Sequence, residues 1–487
     1  MKVLLTTEGT FPYSTGGVST WALSLMTGLP HHDFAVAAVT ANPPSSMMYR
    51  LPPNAVVLPV PLWGLDLVEE YVPSSHGVSR RRLTTPAAIG TRFLPPFELL
   101  LDQILVAVGQ PADVAEALAD IARFADSHDL RRAMQDERVW TLVHQRLLAN
   151  SLYRHVKLGE AIGLARSLYR YLLPLTIPIP DVDVVHASAA AFCVLPALAA
   201  KVRLGIPLVL TEHGIYVRER ILELVRKDAS TLEKVMFSNL YRAIAQAAYH
   251  VADLVAPVCR YNVRWETELG LAPRKIRVIY NGVDPDRFSP GADGVSSGAG
   301  AGERRPTVAW VGRIQPLKDL LNLIRAIRIV SRSLPDVLCE IFGPDSDPTY
   351  AAQCREAVKA AGLGETIRFE GPTTDTARAY READLVVLSS MSEGFPYTVV
   401  EAMMCARPVV ATDVGGVSEA LDDESLLAEP QNAASLADAI LRQLGRPRSE
   451  REALGARLRQ RAVANFTERR FLSSYDDLYR ELDVRVH

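Results

Sequence analysis

Cysteine is scarce in this chain. Five residues in 487 (Cys193, Cys259, Cys339, Cys354 and Cys405) are odd in number, widely spaced and never arranged as Cys-x-x-Cys. Neither a disulfide framework nor a cysteine-built zinc site is indicated, and a reducing compartment is expected. Long apolar runs are also missing. The longest stretch, 187–200, is alanine-rich, contains Pro196 and falls short of the roughly 20 residues that a membrane span needs. The first apolar run stops at Leu5, well before a secretory signal core would end. A large excess of one charge is lacking too: the net charge is −3, which argues against nucleic acid as the main partner. These absences lead to the expectation of a cytoplasmic protein that reaches a membrane face only through partners.

What the chain does have is length and apolar content: 487 residues suggest two to four domains, and a 48% hydrophobic share supports large cores. Short β-rich runs alternate with longer helical patterns, which predicts parallel sheets with crossover helices. In the first half the strands are expected at Val3–Leu5, Phe34–Ala37, Val56–Leu58, Val182–His186, Leu208–Leu210 and Leu254–Val255. A second series reads Val308–Val311, Leu338–Phe342, Ile367–Phe369, Leu385–Leu388, Val409–Ala411 and Leu426–Leu427. Between them lies a Gly/Ser-rich tract, 289–306, with the composition of a flexible linker. The expected division is therefore an N-terminal Rossmann-like domain at 1–288, the linker at 289–306, a second Rossmann-like domain at 307–466 and a C-terminal helix at 467–487. That helix carries Phe471, Tyr475, Leu478 and Leu482 at helical spacing and is expected to return to the first domain. From about 65 to 180 only helical patterns occur, such as Val114, Leu118 and Ile121. This reads as a helical insertion, serving either as added scaffold or as a lid or partner surface on the acceptor side.

The segment Ser392-Glu393-Gly394-Phe395-Pro396-Tyr397-Thr398-Val399-Val400-Glu401 carries the strongest signal. It follows the expected buried strand Leu385–Leu388 and turns helical after Gly394. Loops at the carboxyl ends of parallel strands are where open α/β sheets bind ligands. Backbone N–H groups at a helix start can receive a phosphate or a sugar hydroxyl, and two carboxylates can accept hydrogen bonds from a polyhydroxylated ligand. This is a sugar-nucleotide site in outline. Gly312-Arg313-Ile314-Gln315-Pro316-Leu317-Lys318 follows the first strand of the second series. Arg313 offers a planar fork of donors and Lys318 a compact charge, and together they suit a leaving diphosphate.

In the first half, Gly16-Gly17 follows the first strand, and paired glycines admit close approach of a ligand to the backbone. Thr211-Glu212-His213-Gly214 ends another strand, so His213 is placed where ligands gather. Tyr216, Arg218 and Arg220 follow as candidate acceptor or diphosphate contacts. Asn281-Gly282-Val283-Asp284 reads as a structural turn. Asp345-Ser346-Asp347 resembles a metal-binding Asp-x-Asp but sits in a Gly/Pro-rich loop, so no metal is expected.

Together these segments resemble retaining GT-B glycosyltransferases of family four. The stretches 7–21, 211–220, 276–288, 312–318 and 392–403 are most similar to the PelF-like branch linked to Pel-type exopolysaccharide synthesis. The resemblance implies two Rossmann-like domains facing across a cleft, and transfer of a hexose from a nucleotide sugar, uridine-linked as in UDP-glucose, with retention and without a cofactor or metal. It implies that Arg313 and Lys318 bind the diphosphate and that Glu401 binds ribose hydroxyls. Glu393, with the backbone of Gly394, Phe395, Pro396 and Tyr397, would hold the sugar. Gly17, beside Gly16, would approach the donor phosphates, and His213 would lie by the sugar. Pro396 stands where a glycine is common in the broader family, so one backbone donor is missing there. The implied partners are the nucleotide sugar, a glycan or other hydroxyl acceptor, and membrane-bound polysaccharide synthase subunits. Two further readings stay open: a nucleotide-sugar epimerase of GT-B shape, and a non-catalytic nucleotide-sugar-binding subunit of such a complex.

Overall fold

The computed structural model describes residues 1–43, 46–63, 74–153, 155–226, 229–291 and 305–486. The expected linker falls largely on 292–304, and the start of the expected insertion on 65–73; both stretches lie outside the described residues. Among the described residues twelve strands occupy the positions where short runs of Val, Leu, Ile and Ala lie between loop-forming residues: β1 (Lys2–Glu8), β2 (Asp33–Thr40), β3 (Ala55–Pro61), β4 (Val184–Ala187), β5 (Leu208–Glu212), β6 (Leu254–Pro257), β7 (Thr307–Val311), β8 (Leu338–Phe342), β9 (Ile367–Gly371), β10 (Leu385–Leu388), β11 (Val409–Thr412) and β12 (Leu427–Ala428). Strands such as β10 and β11 are buried at every position. Continuous apolar runs of this kind belong to parallel sheets covered on both faces.

The strands form two six-stranded sheets of order β3-β2-β1-β4-β5-β6 and β12-β11-β10-β7-β8-β9, and every pairing is parallel. Counted within each sheet, this is the same doubly wound order twice. The order of winding reverses between β1 and β4 in the first sheet and between β7 and β10 in the second. Leu4 pairs with both Ala35 and Val185, which sets the register of the first centre. Val308 pairs with Leu385 and Cys339 in the second.

The chain forms two compact units. One comprises Met1–Pro257, Asn262–Val278 and Tyr475–His487; the other comprises Val258–Tyr261 and Ile279–Ser474. In the first unit the helices between β3 and β4 are not an appendage. Phe93, Phe97, Leu118, Ile121 and Phe124 belong to the same buried cluster as Leu4, Val185 and Leu208 of the sheet. The helix Pro111–Ser127 turns Val114, Leu118 and Ile121 inward and packs on the helices Leu94–Val106 and Thr231–Val251. The latter is fixed at its start by a capping box. Ser230 Oγ accepts from Glu233 N, and Glu233 Oε2 accepts from Ser230 N, at 3.3 and 3.0 Å. These helices are therefore part of the scaffold. Among the described residues no helix is long and apolar enough to cross a membrane.

The last helix, Glu468–Val486, begins in the second unit and contributes to the first from Tyr475 onward. Tyr475 and Tyr479 are fully buried. Their hydroxyls continue a polar chain in which His186 Nδ1 meets Tyr479 at 2.7 Å, His186 Nε2 meets Thr211 Oγ1 at 2.8 Å, and Thr211 Oγ1 meets Tyr475 at 2.9 Å. Trp21 Nε1 donates to the same Tyr475 hydroxyl at 3.3 Å.

Candidate functional site

In the second unit the loops after β7 and β10, the two strands flanking the switch in winding, carry the residues picked out in the sequence. Lys318 lies in the 3-10 turn Pro316–Lys318, one residue before the helix Leu320–Ser333. Its Nζ donates to Glu393 Oε1 at 2.5 Å, and Ser390 Oγ donates to the same oxygen at 2.5 Å. The Glu393 side chain is only 10% exposed. With Oε1 held from two sides, Oε2 is the oxygen left to accept from a ligand. Arg313 is half-buried on the same loop as Lys318. Among the described residues its guanidinium has no ion pair, so its fork of donors is uncommitted.

The loop itself is set by backbone contacts. Ser389 Oγ donates to Lys318 O at 2.9 Å and accepts from Trp310 Nε1 at 3.2 Å, which ties β7, β10 and the lysine turn together. Gly416 N donates to Gly394 O at 2.7 Å. Gly415 has φ +59°, and a Cβ there would lie 2.0 Å from Glu393 O, so only glycine lets the two loops pass this closely. Asn281 Nδ2 donates to Phe395 O at 2.9 Å. The Asn281-Gly282 turn thus braces the loop as well as turning the chain. The helix Tyr397–Met404 starts at Pro396 with no side-chain cap. Glu401 lies on it, half-buried, and its Oε2 accepts from the Tyr380 hydroxyl at 2.7 Å. Burial pushes the Glu401 carboxyl above the usual range, and the tyrosine hydroxyl and Arg287 pull it back. Asp347 caps the helix Pro348–Ala360 by accepting from Tyr350 N, and Asp345 pairs with Arg355. Both aspartates thus serve the loop.

The other predicted residues stand in the first unit. Gly16 precedes the helix Gly17–Gly28, and that helix carries Trp21 against the His213 ring, edge on, with centroids 4.8 Å apart. His213 Nε2 is buried with no hydrogen-bond partner among the described residues. Burial pushes its pKa down to about 3, so the imidazole is neutral at pH 7 and keeps a polar atom to offer. Tyr216 and Arg220 are already engaged. The Tyr216 hydroxyl donates to Glu8 Oε1 at 2.7 Å, Arg220 stacks over the Tyr216 ring at 5.1 Å, and it donates to Glu223 at 2.6 Å. Glu8 ends β1, and its other oxygen accepts from Cys193 N at 3.2 Å. Burial raises its carboxyl pKa, while Arg220 and the Tyr216 hydroxyl lower it. Arg218 lies on the same helix, Tyr216–Arg226, half-buried.

The structure therefore joins Arg313, Lys318, Glu393, Gly394 to Tyr397 and Glu401 in one unit, and Gly16, Gly17, His213, Tyr216, Arg218 and Arg220 in the other. Ser390, Tyr380, Asn281 and the Gly415-Gly416 pair were not picked out as site residues. The glycine pair, which follows a strand, and Asn281, which reads as part of a turn, left a local sign in the sequence.

Residues 1–274 match the family model described as a domain of unknown function (DUF3492), and residues 305–446 match glycosyl transferases group 1. A D-inositol 3-phosphate glycosyltransferase of Salinispora tropica is 32% identical over 302 residues, covering 58% of this chain and 60% of that protein. The chain spans 35–65% of the length of the curated relatives it matches. Anabaena Alr3699/HepE, solved in complex with UDP and glucose, superposes with TM-score 0.59 at 15% identity over 98% of this chain and 99% of that one. Sucrose-phosphate synthase from Thermosynechococcus elongatus gives 0.61 at 18% identity, over 99% of both chains. The fold is GT-B.

Proposed function

The chain belongs, through residues 1–274, to the DUF3492 family, and from that premise we propose that it is a glycosyltransferase that takes a hexose from a UDP-linked donor such as UDP-glucose. The observation that carries the reading is the Lys318–Glu393 pair beside the uncommitted Arg313, on the loops after the two strands that flank the switch in winding. The match of 305–446 to glycosyl transferases group 1 supports it, and so does the UDP bound by the Anabaena neighbour.

In this reading Arg313 and Lys318 take the charge that develops on the departing diphosphate, which is the main electrostatic task of the transfer. Glu393, oriented by Lys318 and Ser390, accepts from sugar hydroxyls through Oε2. The backbone of Gly394, Phe395 and Tyr397 adds donors that Pro396 cannot supply. Glu401, held by Tyr380, faces the ribose. Gly16, Gly17 and His213 keep the donor-binding roles that the resemblance implies, and His213 Nε2 is buried with no hydrogen-bond partner among the described residues. No side-chain nucleophile is assigned: the acceptor hydroxyl attacks the face from which the diphosphate leaves, so the anomeric configuration is retained. No step is assigned to a metal. The acceptor is a glycan or other hydroxyl compound, in exopolysaccharide synthesis of the PelF-like kind, with the enzyme docked on membrane-bound synthase subunits. An epimerase or a purely binding subunit draws no support from the matches.

The test is transfer of labelled sugar, with UDP release measured in parallel, for wild type, Arg313→Ala and Lys318→Ala. Each substitution should lower turnover by about 10²–10³-fold, with circular dichroism unchanged. Undiminished transfer by both folded variants would overturn the reading.

A further inference from the structure

Far along the sequence from the loops just described, three donor atoms meet within the first unit. His31 and His32 follow the helix Gly17–Gly28, and Asp476 lies on the helix Glu468–Val486. His31 Nε2 and His32 Nε2 each stand 2.9 Å from the same carboxylate oxygen, Asp476 Oδ1. All three ligand atoms lie within 4.8 Å of one another. His32 and Asp476 are largely buried, 4% and 13% exposed, whereas His31 is 52% exposed. The second Asp476 oxygen is taken by Arg480 at 2.5 Å, which leaves Oδ1 as the converging one.

Both sides of this cluster are held firmly. Asn54 Nδ2 donates to Met26 O and His32 O at 3.0 and 2.9 Å, which fixes the turn that presents the two imidazoles. Tyr475 and Tyr479, one before and three after Asp476, are locked by their hydrogen bonds to Thr211 and His186. Donors on braced elements are the condition for a usable ligand set.

We propose that His31, His32 and Asp476 bind a divalent zinc-like cation that fastens the last helix to the first unit. Two imidazoles and one carboxylate favour zinc over magnesium or calcium, which want oxygen donors. Zinc ligated at about 2.0–2.1 Å sets tetrahedral donors roughly 3.3 Å apart. The two 2.9 Å separations need widen by only about 0.4 Å, and water takes the fourth position on the exposed His31 side. Each imidazole now donates from Nε2. On binding it coordinates through the Nε2 lone pair and carries its proton at Nδ1; at His32 that nitrogen stands 3.3 Å from the Met1 ammonium, which gives up one proton to solvent to become its acceptor, and no redox partner is required.

The experiment uses tag-free, chelator-treated protein titrated with Zn2+ by calorimetry, with Mg2+ as the control and thermal unfolding in parallel. One Zn2+ per chain is expected, with Tm rising with free Zn2+ and no response to Mg2+. His31→Ala, a change at an exposed side chain that leaves the fold intact, should weaken binding at least about 10-fold, and Asp476→Asn should do the same. No zinc binding, an equal response to Mg2+, or undiminished stoichiometric binding in His31→Ala would each overturn the proposal. The last result would place the ion elsewhere, on a thiol for example.

Discussion

Replacing Glu266 with glutamine should make the protein more stable at neutral pH and change it little at pH 5. Glu266 is 0% exposed, and neither carboxylate oxygen has a hydrogen-bond partner among the described residues. Glu212, 1% exposed, raises its pKa further by its charge. Burial first, then Glu212, pushes the Glu266 carboxyl from 4.5 up to about 9. Glu212 itself is pushed up to about 8, chiefly by burial. A carboxyl raised in the folded state is protonated there and ionises on unfolding. Its contribution to stability is complete below pH 4.5 and is lost as the pH rises towards 9. Each pH unit in that window costs about 1.4 kcal/mol, so at pH 7 the wild type carries a penalty of about 3 kcal/mol that glutamine, never ionised, does not. Any packing defect of the amide is independent of pH, so the difference between the two proteins across pH isolates the effect. From pH 5 to pH 8 the variant should gain about 4 kcal/mol on the wild type, or about 8 °C in Tm for a unit of this size. Thermal unfolding of both proteins at four pH values reads it directly. A stability difference that stays constant over that range would show that Glu266 is not held protonated, and the reasoning would fail.

Two predictions concern the loops after β10 and β11. Gly415→Ala would place a Cβ 2.0 Å from Glu393 O; displacing that loop should lower stability by more than about 2 kcal/mol or turnover by about 10²-fold, and a variant with wild-type Tm and rate would refute the close approach. Tyr380→Phe removes the hydroxyl that donates to Glu401 Oε2 and should raise the KM for the donor several-fold while kcat changes little. An unchanged KM would separate Glu401 from donor binding.

The twelve strands among the described residues were legible as apolar runs; those buried at every position, such as β5, β10 and β11, need no context beyond their neighbours in sequence. The observed β4 starts two residues later than expected, since Asp183 instead accepts from Lys2 N. Lys318 and Glu393 were readable as residues but not as a pair. Their contact arises because β7 and β10 are neighbours in the sheet, and that adjacency follows from the winding order rather than from local pattern. The same holds for Ser390, Tyr380 and Asn281, whose partners are set by topology. Tyr216 and Arg220, read as acceptor contacts, were found engaged with Glu8 and Glu223; the 208 residues between Glu8 and Tyr216 hide the first of these from any window. His32 and Asp476 are equally hidden, 444 residues apart.

The membership of the last helix in the first unit bears on the order in which the chain can be finished. The first unit has its sheet complete once Pro257 is made, yet the hydroxyls that satisfy Thr211 and His186 come from Tyr475 and Tyr479. During synthesis that early core must wait, with a buried histidine and threonine short of partners, while some two hundred further residues emerge and fold. Its closure waits for the helix that carries Tyr475 and Tyr479, and a fragment cut at residue 288 would carry the same unfinished seam for good.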